Sequence, residues 1–195
     1  SAKEQIDQAM KAVRAAIPMA ESDPDRPAYH FRPPAQWNND PNGTLFYKGW
    51  HHLFYQHNPF EAKWGHMHWG HARSRDLVNW EHLPIALWPS LEKGEDHVFS
   101  GAALIADDGR PRLMYTSIGN RDPEQWLAEP ADDDLIEWKK DDRNPVATLK
   151  LHGASRPGDW RDPFLFREAG EIYMVCGGNG SSRRQSGTAA VYLYQ

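Results

Sequence analysis

The chain has 195 residues, with 22 Lys and Arg against 27 Asp and Glu and a formal charge of −5; a mildly acidic chain of mixed charge is not built to hold a phosphate backbone, which argues against nucleic acid as a partner. No stretch approaches the roughly 18–20 apolar residues of a membrane-spanning helix, and the single cysteine permits neither an intrachain disulfide nor a Cys-based zinc site. Apolar residues make up 39%, enough for a core, while 9 Trp, 7 Tyr and 7 Phe serve either as filler of a β-rich fold or as platforms for flat ligand faces, sugars included.

Residues 2–16 place Ile6, Met10 and Val13, followed by Ile17, at close to a helical period, and Pro18 is expected to end that helix. With no basic segment ahead of a long apolar run, the stretch does not read as a signal peptide. Five prolines from Pro18 to Pro34 predict an extended lead-in. Residues 1–25 are therefore taken as a helix and lead-in, and 26–195 as the main domain. There, short β-branched or aromatic runs such as TLFYKGWHHLFYQHNP, FSGAALIADDGRPRLMYTS and RDPFLFREAGEIYMVCGG alternate with Gly, Asn, Asp and Pro turns. Many short strands with regular turn signals predict an all-β sandwich, barrel or propeller.

Internal repeats favour the propeller. Gly49, Gly109 and Gly170 each precede a strand, ending Leu53-Phe54-Tyr55, Leu113-Met114-Tyr115 and Ile172-Tyr173-Met174, and are spaced by 60 and 61 residues. Asp76-Leu77-Val78-Asn79-Trp80 recurs 58 residues later as Asp134-Leu135-Ile136-Glu137-Trp138. Each unit reads as strand, turn, strand, long loop, strand and a D-L-x-x-W corner, the rhythm of one four-stranded blade. Roughly two and two-thirds blades are present, whereas propellers close with about 4–8. The remainder of the ring is expected on another chain or segment.

The densest candidate site is Trp37-Asn38-Asn39-Asp40-Pro41-Asn42-Gly43. Asp-Pro-Asn-Gly is also an ordinary turn signature. An Asp there can instead face a cavity, held ionised by amide and Asn donors, as a glycosidic nucleophile requires.

WNNDPNG resembles the WMNDPNG signature of glycoside hydrolase family 32, the invertases, inulinases and levanases. The resemblance extends through RPAYHFRPPAQWNNDPNG, HHLFYQHNPFEAKWGHMHWGHARSRDLVNWEHLPIAL, Phe99-Ser100-Gly101 and Trp160-Arg161-Asp162-Pro163, from about Arg26 onward and in family order. It implies a five-bladed β-propeller, usually followed by a β-sandwich. It further implies that Asp40 is the nucleophile and that Asp162 stabilises the transition state. Asn39, Gln56, Trp64, Phe99, Ser100 and Arg161 would line the fructosyl pocket. Asn38 stands where the family usually has an apolar residue, and Gln36 where Gly is common.

Two Arg-Asp-Pro triplets compete for the second signature. Asp122 lies in a polar loop, whereas Asp162 opens the apolar strand Phe164-Leu165-Phe166, so Asp162 is the choice; Gln125 is a candidate for the pocket rim. The family's acid/base Glu immediately precedes a Cys. Here Val175 precedes Cys176, and Glu168 and Glu171 read as surface charges beside a hairpin, so the general acid is expected beyond Gln195. His66, His68 and His71 lie close in sequence, but packing in an aromatic blade accounts for them better than zinc. Gly177-Gly178-Asn179-Gly180 with Arg183 and Arg184 reads as a hairpin, since no helix pattern follows to make a phosphate loop. Trp80 and Trp138 are expected in cores, and Trp37 and Trp64 against sugar.

The resemblance thus implies a retaining glycosidase acting on β-fructofuranosyl linkages of sucrose or fructans, with a fructose-containing oligo- or polysaccharide as partner and no metal or organic cofactor. The alternatives are a fructosyltransferase on the same scaffold, an inverting propeller enzyme of the arabinan-cleaving kind, or a non-catalytic sugar-binding propeller.

Overall fold

The structure is a computed structural model describing residues 1–180 and 188–195. It opens with helix α1, Ala2–Glu21, begun by a capping box in which Ser1 Oγ accepts the Glu4 N–H and the Glu4 carboxylate takes the terminal amine at 2.6 Å. Ala9 and Val13 are buried, Ile6, Met10 and Ile17 are partly covered, and this stripe packs on strand β4 (Trp80–Leu87). Pro18 does not end the helix. It lies exposed in the last turn, where it forfeits one backbone bond, and the Ser22 N–H still closes on the Pro18 carbonyl at 3.2 Å.

Apart from loops and two short 3-10 turns at Leu91–Lys93 and Leu149–His152, the described residues that follow form strands laid out in successive sheets. Strands β1 (Trp37–Tyr47), β2 (Trp50–Asn58), β3 (His68–Ser74) and β4 form an antiparallel sheet in chain order. Strands β5 (Glu95–Ile105), β6 (Pro111–Gly119), β7 (Glu124–Pro130) and β8 (Trp138–Lys140) form a second, with the short β9 (Ala147–Thr148) also paired to β7. Strands β10 (Gly158–Glu168), β11 (Glu171–Asn179) and β12 (Ala189–Tyr194) form a third. The all-β expectation holds, and each sheet is the meander of a propeller blade.

The glycine repeat marks one structural position. Gly49, Gly109 and Gly170 have φ of 82°, 75° and 90° and lie in the hairpins joining the first two strands of each sheet. That left-handed backbone suits a residue without a Cβ. The D-L-x-x-W repeat likewise turns the third strand into the fourth, with Leu77 and Leu135 both at positive φ.

The two corners are held by different acids. At the first, Asp76 accepts the Val78 and Asn79 N–H groups and the Asn79 amide, bonds that hold its carboxyl well below the usual range; Ser74 Oγ takes the Asp76 and Leu77 N–H groups. At the second, Asp132 stands at the Ser74 position and accepts from Asp134, Ile136 and Glu137. Trp138 is buried as expected, donating its indole N–H to the Leu135 carbonyl, whereas Trp80 is half-buried with its edge against Phe31.

The chain divides into two compact units, Ser1–Val98 and Phe99–Gln195. The first has a core containing Phe54, Trp69, Ala72, Ile85 and Leu87. In the second, Ala102, Leu149, Trp160, Leu165, Met174 and Cys176 form a cluster joining the second and third sheets. Arg183 and Arg184 lie outside the described residues.

Candidate functional site

Asn39 and Asp40 do not sit in a turn. The whole WNNDPNG segment runs within β1, and the Asp-Pro-Asn-Gly signature is spent on two irregularities in the ladder. Asn38 faces His57 and Pro41 faces Tyr55, so Asn39 and Asp40 together oppose the single residue Gln56. This is a β-bulge, a device that re-aims side chains beside functional sites. Asn39 and Asp40 are exposed; Gln56 is buried and donates its amide to the Val98 carbonyl at 2.9 Å. The entry to this strand is also special. Gln36 has φ +71°, which explains why Gly is the residue of choice there, and its amide donates to the Phe60 carbonyl at 3.2 Å.

Trp64 projects from the loop between β2 and β3. It is 56% exposed, and its ring tilts against His97 at 5.2 Å between centroids. The indole is thus held on one side by an imidazole and open to solvent over much of its surface. Trp37 is half-buried and committed through its backbone, its carbonyl accepting from His57 Nδ1 at 2.8 Å.

In the second unit, Phe99 and Ser100 lie half-buried on β5. Gly101 follows because β6 passes too close for a side chain: a Cβ would stand 2.0 Å from the Met114 carbonyl oxygen. Arg161 and Asp162 lie on β10, where Gly158 faces Asn179, Arg161 faces Gly177 and Phe164 faces Val175. Each interval carries one extra residue on β10, so Asp162 too sits on a bulge, and its φ is +61°. Asp is among the few residues that tolerate such a backbone. Arg161 spans from Asp159 at 2.9 Å to the Asp162 carboxylate at 3.6 Å, both on the surface.

Asp40 and Asp162 thus share one local design: an Asp-Pro step on the bulged first strand of a sheet. The structure brings Asn39 and Asp40 opposite Gln56, and Arg161 beside Asp162. A cavity of about 300 Å³ on the first unit lies elsewhere, lined by Tyr29, Phe31, Arg32, Trp80 and His82 among others, and includes none of these residues.

Several other expectations resolve. Asp122 is an exposed acid paired with Arg156 at 2.9 Å, and Glu168 and Glu171 flank the β10–β11 hairpin in solvent. Gln125 does not reach a rim; it is fully buried on β7. Cys176 is buried, its thiol donating to the Arg161 carbonyl at 3.0 Å, and burial pushes its pKa up to about 12, so it is no nucleophile. His66, His68 and His71 do not converge. The His68 ring bonds the His66 carbonyl, while His71 shares a 3.0 Å hydrogen bond with His52, a partner sequence reading missed. Among the described residues no cluster of three or more His, Cys, Asp or Glu is placed to hold a metal.

Residues 30–195 match the family model for the glycosyl hydrolases family 32 N-terminal domain. The chain is 45% identical over 175 residues to a cell wall isozyme of beta-fructofuranosidase from Zea mays, an alignment covering 86% of this chain and 29% of that protein. It is 39% identical over 176 residues to a bifunctional fructosyltransferase from Allium cepa, covering 86% and 28%. Among solved structures it resembles a Bombyx mori GH32 beta-fructofuranosidase in complex with sucrose, with a TM-score of 0.77 and 34% identity over 98% of this chain and 39% of that one. The chain therefore spans about a third or less of the curated relatives it matches, and less than half of the solved structure. The sheets, the bulged Asp-Pro strands and these likenesses agree: the chain belongs to glycosyl hydrolase family 32, and its residues 30–195 match within that family's N-terminal domain.

Proposed function

We propose that the complete protein containing this chain is a retaining glycosidase that cleaves β-fructofuranosyl linkages in sucrose or fructans. The observation that carries this reading is the Asp40 bulge opposite Gln56, built from the family's own signature residues. Asp40 attacks the anomeric carbon of the fructosyl unit and forms a covalent ester. Asp162 grips hydroxyls of the same unit more tightly as positive charge develops at that carbon. Asn39, Gln56, Trp64, Phe99, Ser100 and Arg161 hold the sugar ring.

A general acid must protonate the leaving oxygen and then activate water, from about 5–5.5 Å away from the nucleophile. We assign that role to a Glu outside residues 1–195. The thiol of Cys176 follows Val175 and is occupied by the Arg161 carbonyl, so the family's Glu-Cys pair is not here. We take residues 26–195 as the first blades of a five-bladed ring, with residues 1–25 as a helix and lead-in; the three sheets in chain order support this division.

The test is to supply the complete protein with sucrose and inulin and follow the anomer of the first-formed fructose. Release with retained β configuration supports the reading. Inverted product would place the protein with the inverting propeller enzymes, and release of neither glucose nor fructose would leave a sugar-binding module. A second reading, fructosyl transfer, rests on the likeness to the Allium cepa transferase, at 39% identity against 45% for the Zea mays beta-fructofuranosidase. Water and an acceptor sugar compete for one ester, so the ratio of oligosaccharide to free fructose at high sucrose distinguishes the two.

A further inference from the structure

Three consecutive residues of β10 have backbone groups caught by buried side chains from three other strands. The Trp160 carbonyl accepts from Gln125 Nε2 on β7 at 3.4 Å. The Arg161 carbonyl accepts from Cys176 Sγ on β11 at 3.0 Å. The Asp162 N–H donates to Thr116 Oγ1 on β6 at 3.0 Å. Thr116 and Gln125 are fully buried, Cys176 is 1% exposed, and all lie in the second unit with β10.

We infer that Thr116, Gln125 and Cys176 form a clamp that fixes the bulge carrying Asp162, and that Thr116 and Gln125 are positioning residues for that carboxylate. The inference rests on the reading of Asp162 as a sugar-binding acid and adds how the fold aims it.

The hydrogen bonds run in one direction. A backbone carbonyl can only accept, so the Trp160 carbonyl requires the NH₂ end of the Gln125 amide. The amide oxygen then faces Thr116, its cross-strand partner, at 2.8 Å. Thr116 must therefore donate its hydroxyl proton to Gln125, which leaves a lone pair for the Asp162 N–H. Each buried polar group in the relay has a defined role, and reversing the amide would set its oxygen against the Trp160 carbonyl, two acceptors with no proton between them.

The clamp answers a local need. A left-handed backbone, φ +61° here, is strained at a residue bearing a Cβ. A bulge also withdraws a residue from the regular ladder, so its N–H needs another partner. Thr116 supplies that partner, and it does so from a different sheet.

The test compares Thr116→Val, which keeps the shape and removes the hydroxyl, with Thr116→Ser, which keeps the hydroxyl. Both are made in the complete protein, with and without Asp162→Asn. The expected result is that Thr116→Val lowers kcat/KM on sucrose by roughly ten- to a hundredfold, the scale of a small misplacement in an active site. Thr116→Ser recovers most of the loss, and Thr116→Val costs little further once Asp162→Asn is present. Hydrogen exchange at the Asp162 amide is expected to speed up in Thr116→Val and not in Thr116→Ser. An equal loss in both backgrounds, or unchanged exchange at that amide, would overturn the clamp. If Asp162→Asn itself proves fully active, the reading of Asp162 fails, and amide exchange alone then decides whether the clamp exists.

Discussion

Gln56 lies directly across the β1–β2 ladder from the bulge that carries Asp40, so residues 16 apart in sequence meet as neighbours on one sheet. The bulge gives Asp40 its exposure, and the buried Gln56 amide, tied to the Val98 carbonyl, stiffens the strand beneath it. The geometry of the first candidate site is thus a matter of strand pairing within one sheet. The packing of α1 on β4 takes place elsewhere in that unit.

Gln36 enters this strand with φ +71° and one side-chain hydrogen bond that offsets the strain. Gln36→Ala keeps the strain and loses the bond, whereas Gln36→Gly loses the bond and relieves the strain. The glycine variant is expected to be the more stable of the two by about 1 kcal/mol, the balance of left-handed strain against glycine's extra chain entropy. Urea unfolding of both variants checks it, and equal midpoints would refute the strain.

The second corner turns on Asp132. Its carboxylate accepts three backbone N–H groups, whereas the repeat's own Asp134 contributes an N–H to that arrangement. Asp132→Ala is expected to destabilise the protein by about 1–2 kcal/mol, in line with the loss of charge-assisted hydrogen bonds on a partly exposed turn. Asp134→Ala should change stability by less than about 0.5 kcal/mol, as for an ordinary surface site. Thermal melts rank the two; the reverse order would show that the aligned residue holds the corner.

That corner also shows what the sequence could and could not convey. Spacing found the blades, because hairpin glycines and corner leucines answer to local backbone geometry that each repeat must reproduce. Spacing did not reveal which acid holds the second corner, because Ser74 and Asp132 occupy one position with unlike side chains and only the hydrogen bonds reveal the exchange. Asp-Pro-Asn-Gly was ambiguous for a similar reason: a turn and a doubly bulged strand call on the same residues. Pro18 misled because a helix tolerates proline in its last exposed turn. Thr116 gave no signal at all, since its partners lie 9 and 46 residues away and are met through sheet pairing and packing.

Acid should loosen the first unit. Burial, aided by Arg73, pushes the pKa of His52 down to about 4; burial also takes His57 to about 4 and His71 well below its ordinary 6.5. In the unfolded chain these rings take up protons near pH 6.5, whereas in the folded one His52 and His57 do so only near 4. Between those values the unfolded state binds more protons, so stability present above pH 6.5 is lost as pH falls toward 4. The unfolding midpoint should decline across that window, and less steeply in His57→Gln, which can still donate to the Trp37 carbonyl. A midpoint independent of pH there would contradict the buried neutral rings.

Mass spectrometry of the complete protein, quenched while it turns over sucrose, tests the role of Asp40 most directly. The expected result is a fructosyl ester on the peptide containing Asp40, absent from Asp40→Ala, which should also lose turnover. An ester on a different residue, or an Asp40→Ala protein that cleaves sucrose at the unaltered rate, would contradict it.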